Sequence, residues 1–145
     1  MQIKHLSITA SNPERAAGIL AELTDGSVYP FTSKTMEGAW VCAWDRQSGE
    51  MIEFIPNNYL LCPGKHAAEF RPAEEVQNFN STHFLLETRN SLDHLKAVAE
   101  SHGLHHRFRP RLGGPLYEVW LETQILVEFV SDESGTWRPD VNFAS

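Results

Sequence analysis

Residues 126–130 read LVEFV and residues 51–55 read MIEFI. Each is an apolar, strand-like run with a glutamate at its centre, Glu128 in one and Glu53 in the other. An ionised carboxylate inside an apolar run is costly unless it is paired, protonated or bound to a cation. Two of them in matching surroundings suggest a duplicated unit and a shared site. The rest of the chain can be read outward from these two runs.

Upstream of Glu53 the order is strand, helix, three strands. Residues 3–10, IKHLSITA, alternate with a period of two, with Leu6 and Ile8 on one face and Ile3, His5 and Ser7 on the other. Ser11-Asn12-Pro13-Glu14 is a capping-box pattern, with a proline that the first helical turn tolerates. A helix through Ala16, Ala17, Leu20, Ala21 and Leu23 follows, stopped at Asp25-Gly26, where glycine suits the left-handed position past a helix end. Strands are expected over 27–32, 38–45 and 50–55, with a turn at 46–49. Residues 57–80 hold no sustained period and read as a long connector. An arm packed on the surface is expected there, because Tyr59, Leu60, Leu61 and Phe70 would otherwise be exposed.

The order then repeats around Glu128. Residues 81–88, STHFLLET, read as a strand. Asn90 or Ser91 caps a helix through Leu92, Leu95, Val98 and Ala99 to Gly103. A weak strand over 105–112 and a Gly113-Gly114-Pro115 turn precede a hairpin of 116–121 and 124–130 across Glu122-Thr123. The expected organisation is a first module at 1–56, a connector at 57–80, a second module at 81–130 and a polar tail at 131–145 with Trp137, within one compact domain.

Composition bounds the function. The chain has 145 residues, enough for one real core, and a net charge of −7. That charge argues against nucleic acid or an anionic membrane as the main partner. No apolar run is long enough to span a bilayer, and MQIKHLSITA lacks the pattern of a signal peptide. Cys42 and Cys62 do not make a disulfide framework and read as reduced thiols of a cytoplasmic protein. No phosphate loop, dinucleotide fingerprint or nucleophile elbow is present.

Four residues stand out. His5 lies seven residues before Asn12, and His83 lies seven before Asn90. His5 to Glu53 spans 48 residues and His83 to Glu128 spans 45. All four side chains can leave the helix side of a sheet. Two imidazoles and two carboxylates suit zinc, nickel, cobalt or iron, and manganese also accepts carboxylates. The competing readings are a satisfied strand histidine and an edge-strand glutamate facing water. Trp40, Trp44 and Trp120 read as core or as lining for a flat, apolar substrate. His102, His105 and His106 with Arg107, Arg109 and Arg111 read as a solvated edge, or as a cradle for a substrate carboxylate or phosphate. Cys42 shows no sign of thiolate activation.

Strand–helix–three strands, twice, with His5 in IKHLSIT, Glu53 in MIEFIP, His83 in STHFLLE and Glu128 in LVEFV, resembles the vicinal oxygen chelate superfamily over residues 1–56 and 81–130. The His, Glu, His, Glu order is most similar to glyoxalase I. The resemblance implies an α+β fold of two βαβββ modules pairing into a curved mixed sheet, with helices on the outer face and a cleft inside. It implies a divalent metal held by His5, Glu53, His83 and Glu128, a small-molecule substrate and a homodimer. The activity implied is that of a glyoxalase-like lyase or isomerase. It would chelate vicinal oxygens and stabilise an enediolate, with Glu53 or Glu128 as the catalytic base. Asn57, four residues past Glu53, falls where glyoxalase I has a glutathione-contacting asparagine. Within the same superfamily the alternatives are an extradiol-type dioxygenase and a non-catalytic, bleomycin-resistance-like binding protein.

Overall fold

The computed structural model describes residues 5–31, 36–45, 49–63, 68–76, 82–110 and 114–134. The expected strand start at Ile3, the turn residues 46–48, Ser81, Arg111, Gly113 and the tail 135–145 with Trp137 lie outside the described residues. The chain divides into two compact units, Met1–Ser81 and Thr82–Ser145.

In the first unit β1 (His5–Ala10), α1 (Pro13–Thr24), β2 (Ser27–Phe31), β3 (Ala39–Asp45) and β4 (Glu50–Pro56) build a sheet of order β1-β4-β3-β2. β1 runs parallel to β4, and the other pairs are antiparallel. Residues paired across strands share a face, so Leu6 and Ile8 lie with Ile52, Phe54 and Cys42. This face meets α1, whose Ala16, Ala17, Leu20 and Leu23 are fully buried, as are Cys42 and Phe54. Each such leucine contributes about 1.5–3 kcal/mol of transfer free energy.

The ends of α1 differ from the sequence expectation. The cap is Asn12, whose Oδ1 accepts from the Arg15 amide at 3.1 Å, not Ser11 of the capping-box pattern. Asp25, not Gly26, takes the left-handed conformation, with φ 56°. Aspartate tolerates that region. Gly26 is required for a different reason: a Cβ there would lie 2.5 Å from the Cys42 Sγ.

The connector expected to lack a period contains a hairpin, β5 (Tyr59–Pro63) and β6 (Ala68–Pro72). Tyr59 and Phe70 pack on a cluster of Met36, Ala39 and Ile55, with Phe31 beside them. Phe31, Ala39 and Ile55 form one row across the sheet face opposite α1. The hairpin therefore meets that face at the Phe31 row. Leu60 and Leu61 stay exposed, at 46% and 63%, so the surface-packing expectation holds for only part of the arm.

The second unit repeats the topology. β7 (His83–Thr88), α2 (Leu92–Ser101), β8 (His105–Arg109), β9 (Leu116–Leu121) and β10 (Ile125–Ser131) give the order β7-β10-β9-β8, with β7 parallel to β10. Ser91 caps α2, its side chain accepting from the His94 amide at 3.1 Å. Glu133, in the short 3-10 turn after β10, accepts from the Leu92 amide at 3.0 Å. A carboxylate there also suits the positive end of the helix dipole. Val119, Val127 and Phe129 are fully buried on the face shared with Phe84 and Leu86, and Leu95 and Ala99 of α2 are buried with them. The β9–β10 connection places Glu122 and Thr123 at φ 52° and 61°, the positive values that a type I′ turn demands at both central positions.

Candidate functional site

The face of the first sheet that turns away from α1 carries His5, Ser7 and Glu53. Ser7 pairs directly with Glu53 in the β1–β4 register, while His5 pairs with Met51. The Ser7 hydroxyl donates to Glu53 Oε2 at 2.5 Å. Val41 and Tyr29 complete the row across β3 and β2. Glu53 is half-buried and His5 is exposed.

The same construction recurs in the second unit. His83 pairs with Leu126, so it again faces the residue two positions before the glutamate of the closing strand. Glu128 pairs with Leu85 on one side and with Glu118 on the other, and Glu118 pairs with Arg107. Glu118 is only 2% exposed. Its carboxylate accepts from Arg107 Nε at 2.6 Å and forms an ion pair with Arg109 Nη1 at 3.2 Å. Arg109 Nη1 also reaches Glu128 Oε1 at 3.4 Å. Two laterally opposed carboxylates repel unless cations stand between them. The two guanidinium groups supply that charge, and Arg109 touches both carboxylates.

The site residues expected from sequence fall as follows. His5 and Glu53 share a face in the first unit, and His83 and Glu128 share a face in the second. Among the described residues no group of three or more His, Cys, Asp and Glu side chains gathers as a metal set. Trp120 lies on the Glu128 face, beside His105 and Leu126. Trp40 pairs with Phe54 and so lies on the α1 side, away from Glu53. Trp44 is 37% exposed at the end of β3. Asn57 ties the ends of β1 and β4 together: its amide donates to the Ala10 carbonyl at 3.0 Å and its Nδ2 to Ser11 Oγ at 3.2 Å.

Glu118 was not singled out by sequence. Its signal was nonetheless there, a glutamate inside the apolar run LYEVWL at 116–121, the same cue that marks Glu53 and Glu128. Ser7 had no such cue; only the register places it opposite Glu53. The histidine patch separates by face. His105 sits with Trp120 and Arg107, whereas His106 lies on the α2 side, its Nδ1 2.7 Å from the Tyr117 hydroxyl. Burial and the negative charge of Glu100 raise the Tyr117 phenol above its ordinary pKa. Burial pushes the Cys42 thiol up to about 12, and the Thr24 hydrogen bond offsets only part of this. Cys42 is an inert core thiol, and both cysteines are free. No helix among the described residues is long and apolar enough to cross a membrane.

No protein-family model matches the chain, and no curated sequence is similar to it. Solved structures with the same fold are found. The fosfomycin resistance protein FosX from Listeria monocytogenes, in complex with Mn(II) and 1S,2S-dihydroxypropylphosphonic acid, is 13% identical, with a TM-score of 0.58 over 88% of this chain and 90% of that one. Lactoylglutathione lyase from Agrobacterium tumefaciens is 9% identical, with a TM-score of 0.59 over 91% of this chain and 94% of that one. An integron cassette protein from V. cholerae is 12% identical, with a TM-score of 0.59 over 91% and 95% of the two chains. FosX and the lyase are vicinal oxygen chelate proteins, and the fold of this chain is theirs.

Proposed function

We propose that the chain is a divalent-metal-dependent enzyme of the glyoxalase type, a lyase or isomerase acting on a small substrate with two neighbouring oxygens. The observation that carries this reading is the repeated register. In each unit a first-strand histidine faces the residue two before a closing-strand glutamate, giving His5 with Glu53 and His83 with Glu128. Two imidazoles and two carboxylates fit the donor preferences of borderline divalent ions, although the described residues do not gather three of them. FosX carries Mn(II) together with a compound bearing two neighbouring hydroxyls, which agrees with such a substrate.

A divalent ion held by His5, Glu53, His83 and Glu128 would supply Lewis-acid polarisation of the two substrate oxygens. Glu53 is the general base in this reading, taking the proton from the carbon next to a carbonyl. Its partner is a neutral hydroxyl, Ser7, while Glu128 is tied to Arg109. Ser7 orients the carboxylate until the proton is transferred. A homodimer and a cytoplasmic setting accompany this reading.

Elemental analysis of protein made without a histidine tag tests it. The expected result is one divalent ion per chain, lost in His83→Ala and Glu53→Gln. Metal-free protein in which neither substitution alters metal uptake would overturn it. The concavity lined by His105, Arg107, Trp120 and Thr123 favours a second reading, a small-molecule-binding protein on the same fold. Oxygen consumption with catechols separates an extradiol activity from both.

A further inference from the structure

We infer that the outer edge of β6 (Ala68–Pro72) is a docking surface for a second copy of this chain, the two β6 strands pairing antiparallel about a two-fold axis at Phe70. The contact uses the hairpin alone and needs no metal, so it stands whether or not the chain performs the chemistry proposed above.

The backbone shows which groups face outward. β5 and β6 form a two-stranded sheet. The Ala73 amide donates to the Asn58 carbonyl at 2.7 Å, one step beyond the Tyr59–Pro72 pair. Hydrogen-bonded and non-bonded pairs alternate along an antiparallel ladder, so Leu60–Arg71 and Cys62–Glu69 carry the bonds inside the hairpin. The N–H and C=O groups of Ala68 and Phe70 and the C=O of Pro72 therefore point away from β5. Pro72 suits its place, since a proline in a sheet belongs where its missing N–H faces outward. Among the described residues β6 pairs with no strand but β5, and Arg71 and Pro72 are exposed. An edge of outward donors and acceptors is a template for another strand.

The charge pattern Glu69-Phe70-Arg71 selects a second copy as the occupant. A two-fold axis at one residue sets the residue before it opposite the residue after it on the other strand. With the axis at Phe70, Glu69 lies opposite the partner's Arg71, and Arg71 opposite the partner's Glu69. These are non-hydrogen-bonded positions, where side chains come closest. Each Phe70 N–H meets the carbonyl of the partner's Phe70, and each Ala68 N–H meets the carbonyl of the partner's Pro72. An axis at Glu69 or at Arg71 would instead set like charges face to face, which is destabilising. The segment thus favours one register and opposes those on either side of it. Both charged side chains are reachable, at 36% exposed for Glu69 and 60% for Arg71, and Arg71 Nε holds Glu69 Oε1 at 2.7 Å along the strand. Tyr59 and Phe70 pack on Met36, Ala39 and Ile55, so the edge is presented by an anchored strand that loses little freedom on pairing.

Sedimentation velocity of the full-length protein over a range of concentrations tests this. An edge contact buries little area, so weak, concentration-dependent self-association is expected. Glu69→Arg and Arg71→Glu each set like charges across the axis and should weaken it about tenfold or more. An equimolar mixture of the two variants should restore association, because each like pair then becomes an unlike one. The double exchange, Glu69→Arg with Arg71→Glu, should restore it as well. Amide hydrogen exchange reads the register directly. The Phe70 and Ala68 amides gain protection as concentration rises, while those of Glu69 and Arg71, already bonded to β5, do not change. A parent protein that stays monomeric at its highest soluble concentration overturns the proposal. So does self-association that neither single substitution weakens, or a weakening that the mixture fails to reverse. Should a single variant not fold, the exchange pattern of the parent decides, and protection that does not single out Phe70 and Ala68 refutes the register.

Discussion

The Glu118 ion-pair network allows a quantitative test, because its three members differ sharply in exposure. Glu118 is 2% exposed, whereas Arg107 and Arg109 are 59% and 49% exposed. Removing the carboxylate leaves two cations that water can reach, so Glu118→Met costs little beyond the lost pairs, about 1 kcal/mol. Removing both cations, in Arg107→Met with Arg109→Met, strands a buried carboxylate beside Glu128. Breaking a buried pair in that way costs about 3–5 kcal/mol. Half-exposed arginines place the expectation near 3. For a chain of this length that corresponds to a drop on the order of 10 °C in Tm. The triple variant, with Glu118→Met added, regains most of the loss, since no charge is left buried. Urea and thermal denaturation of the four proteins measure the order. A double-arginine variant within about 1 kcal/mol of the parent, or a triple variant no more stable than the double, refutes the assignment of Glu118 as a buried ion held by these two guanidinium groups.

Other positions give sharp expectations. Gly26→Ala places a methyl 2.5 Å from the Cys42 Sγ and should cost about 1–3 kcal/mol by overpacking. Adding Cys42→Ala should recover much of it, and a double-mutant cycle in urea measures the coupling. Thr123, β-branched at φ 61°, is strained by about 1 kcal/mol or more. Thr123→Gly should therefore raise Tm by a degree or more despite the entropy of glycine. The Cys42 thiol, raised from 9.0 to about 12, makes folding oppose its ionisation. The folded state keeps the proton where the unfolded state loses it, so this contribution is complete below pH 9 and falls away as pH rises towards 12. Cys42→Ala should flatten that alkaline slope in denaturation curves. At pH 8, a thiol reagent should modify Cys62 in the native protein and leave Cys42 untouched.

Periodicity made the two modules legible. Alternation in IKHLSITA assigned His5 and Ser7 to one face and Leu6 and Ile8 to the other, and the β1–β4 register keeps that division. What stayed hidden was set by contacts between segments distant in sequence. Gly26 looked like a helix stop, yet Asp25 turns the chain and Gly26 makes room for Cys42, a demand that exists only once β3 lies under α1. The β5–β6 hairpin escaped notice because its apolar residues do not alternate. Tyr59 and Phe70 pack on the sheet, while the adjacent Leu60 and Leu61 remain in solvent. Glu118 carried the same cue as the two central glutamates. Its cations stand on the next strand, where they looked like a solvated edge.

The duplication sharpens how the two central glutamates differ. Equivalent rows across the two sheets read Tyr29, Val41, Glu53, Ser7 and Arg107, Glu118, Glu128, Leu85. The glutamate is common to both, and its neighbours are not. In the first row a valine and a hydroxyl flank it, so Glu53 meets no lateral charge. In the second row a carboxylate stands beside Glu128, and two carboxylates side by side require cations. Arg109 is the group that spans them, 3.2 Å from Glu118 and 3.4 Å from Glu128. A cation arriving at Glu128 would meet an arginine already there, and Glu118 offers that arginine another place to go. Glu53, among the described residues, has a serine hydroxyl to release. One strand order, repeated, thus gives two carboxylates at matching positions, one tethered to a guanidinium and the other held by a neutral hydrogen bond.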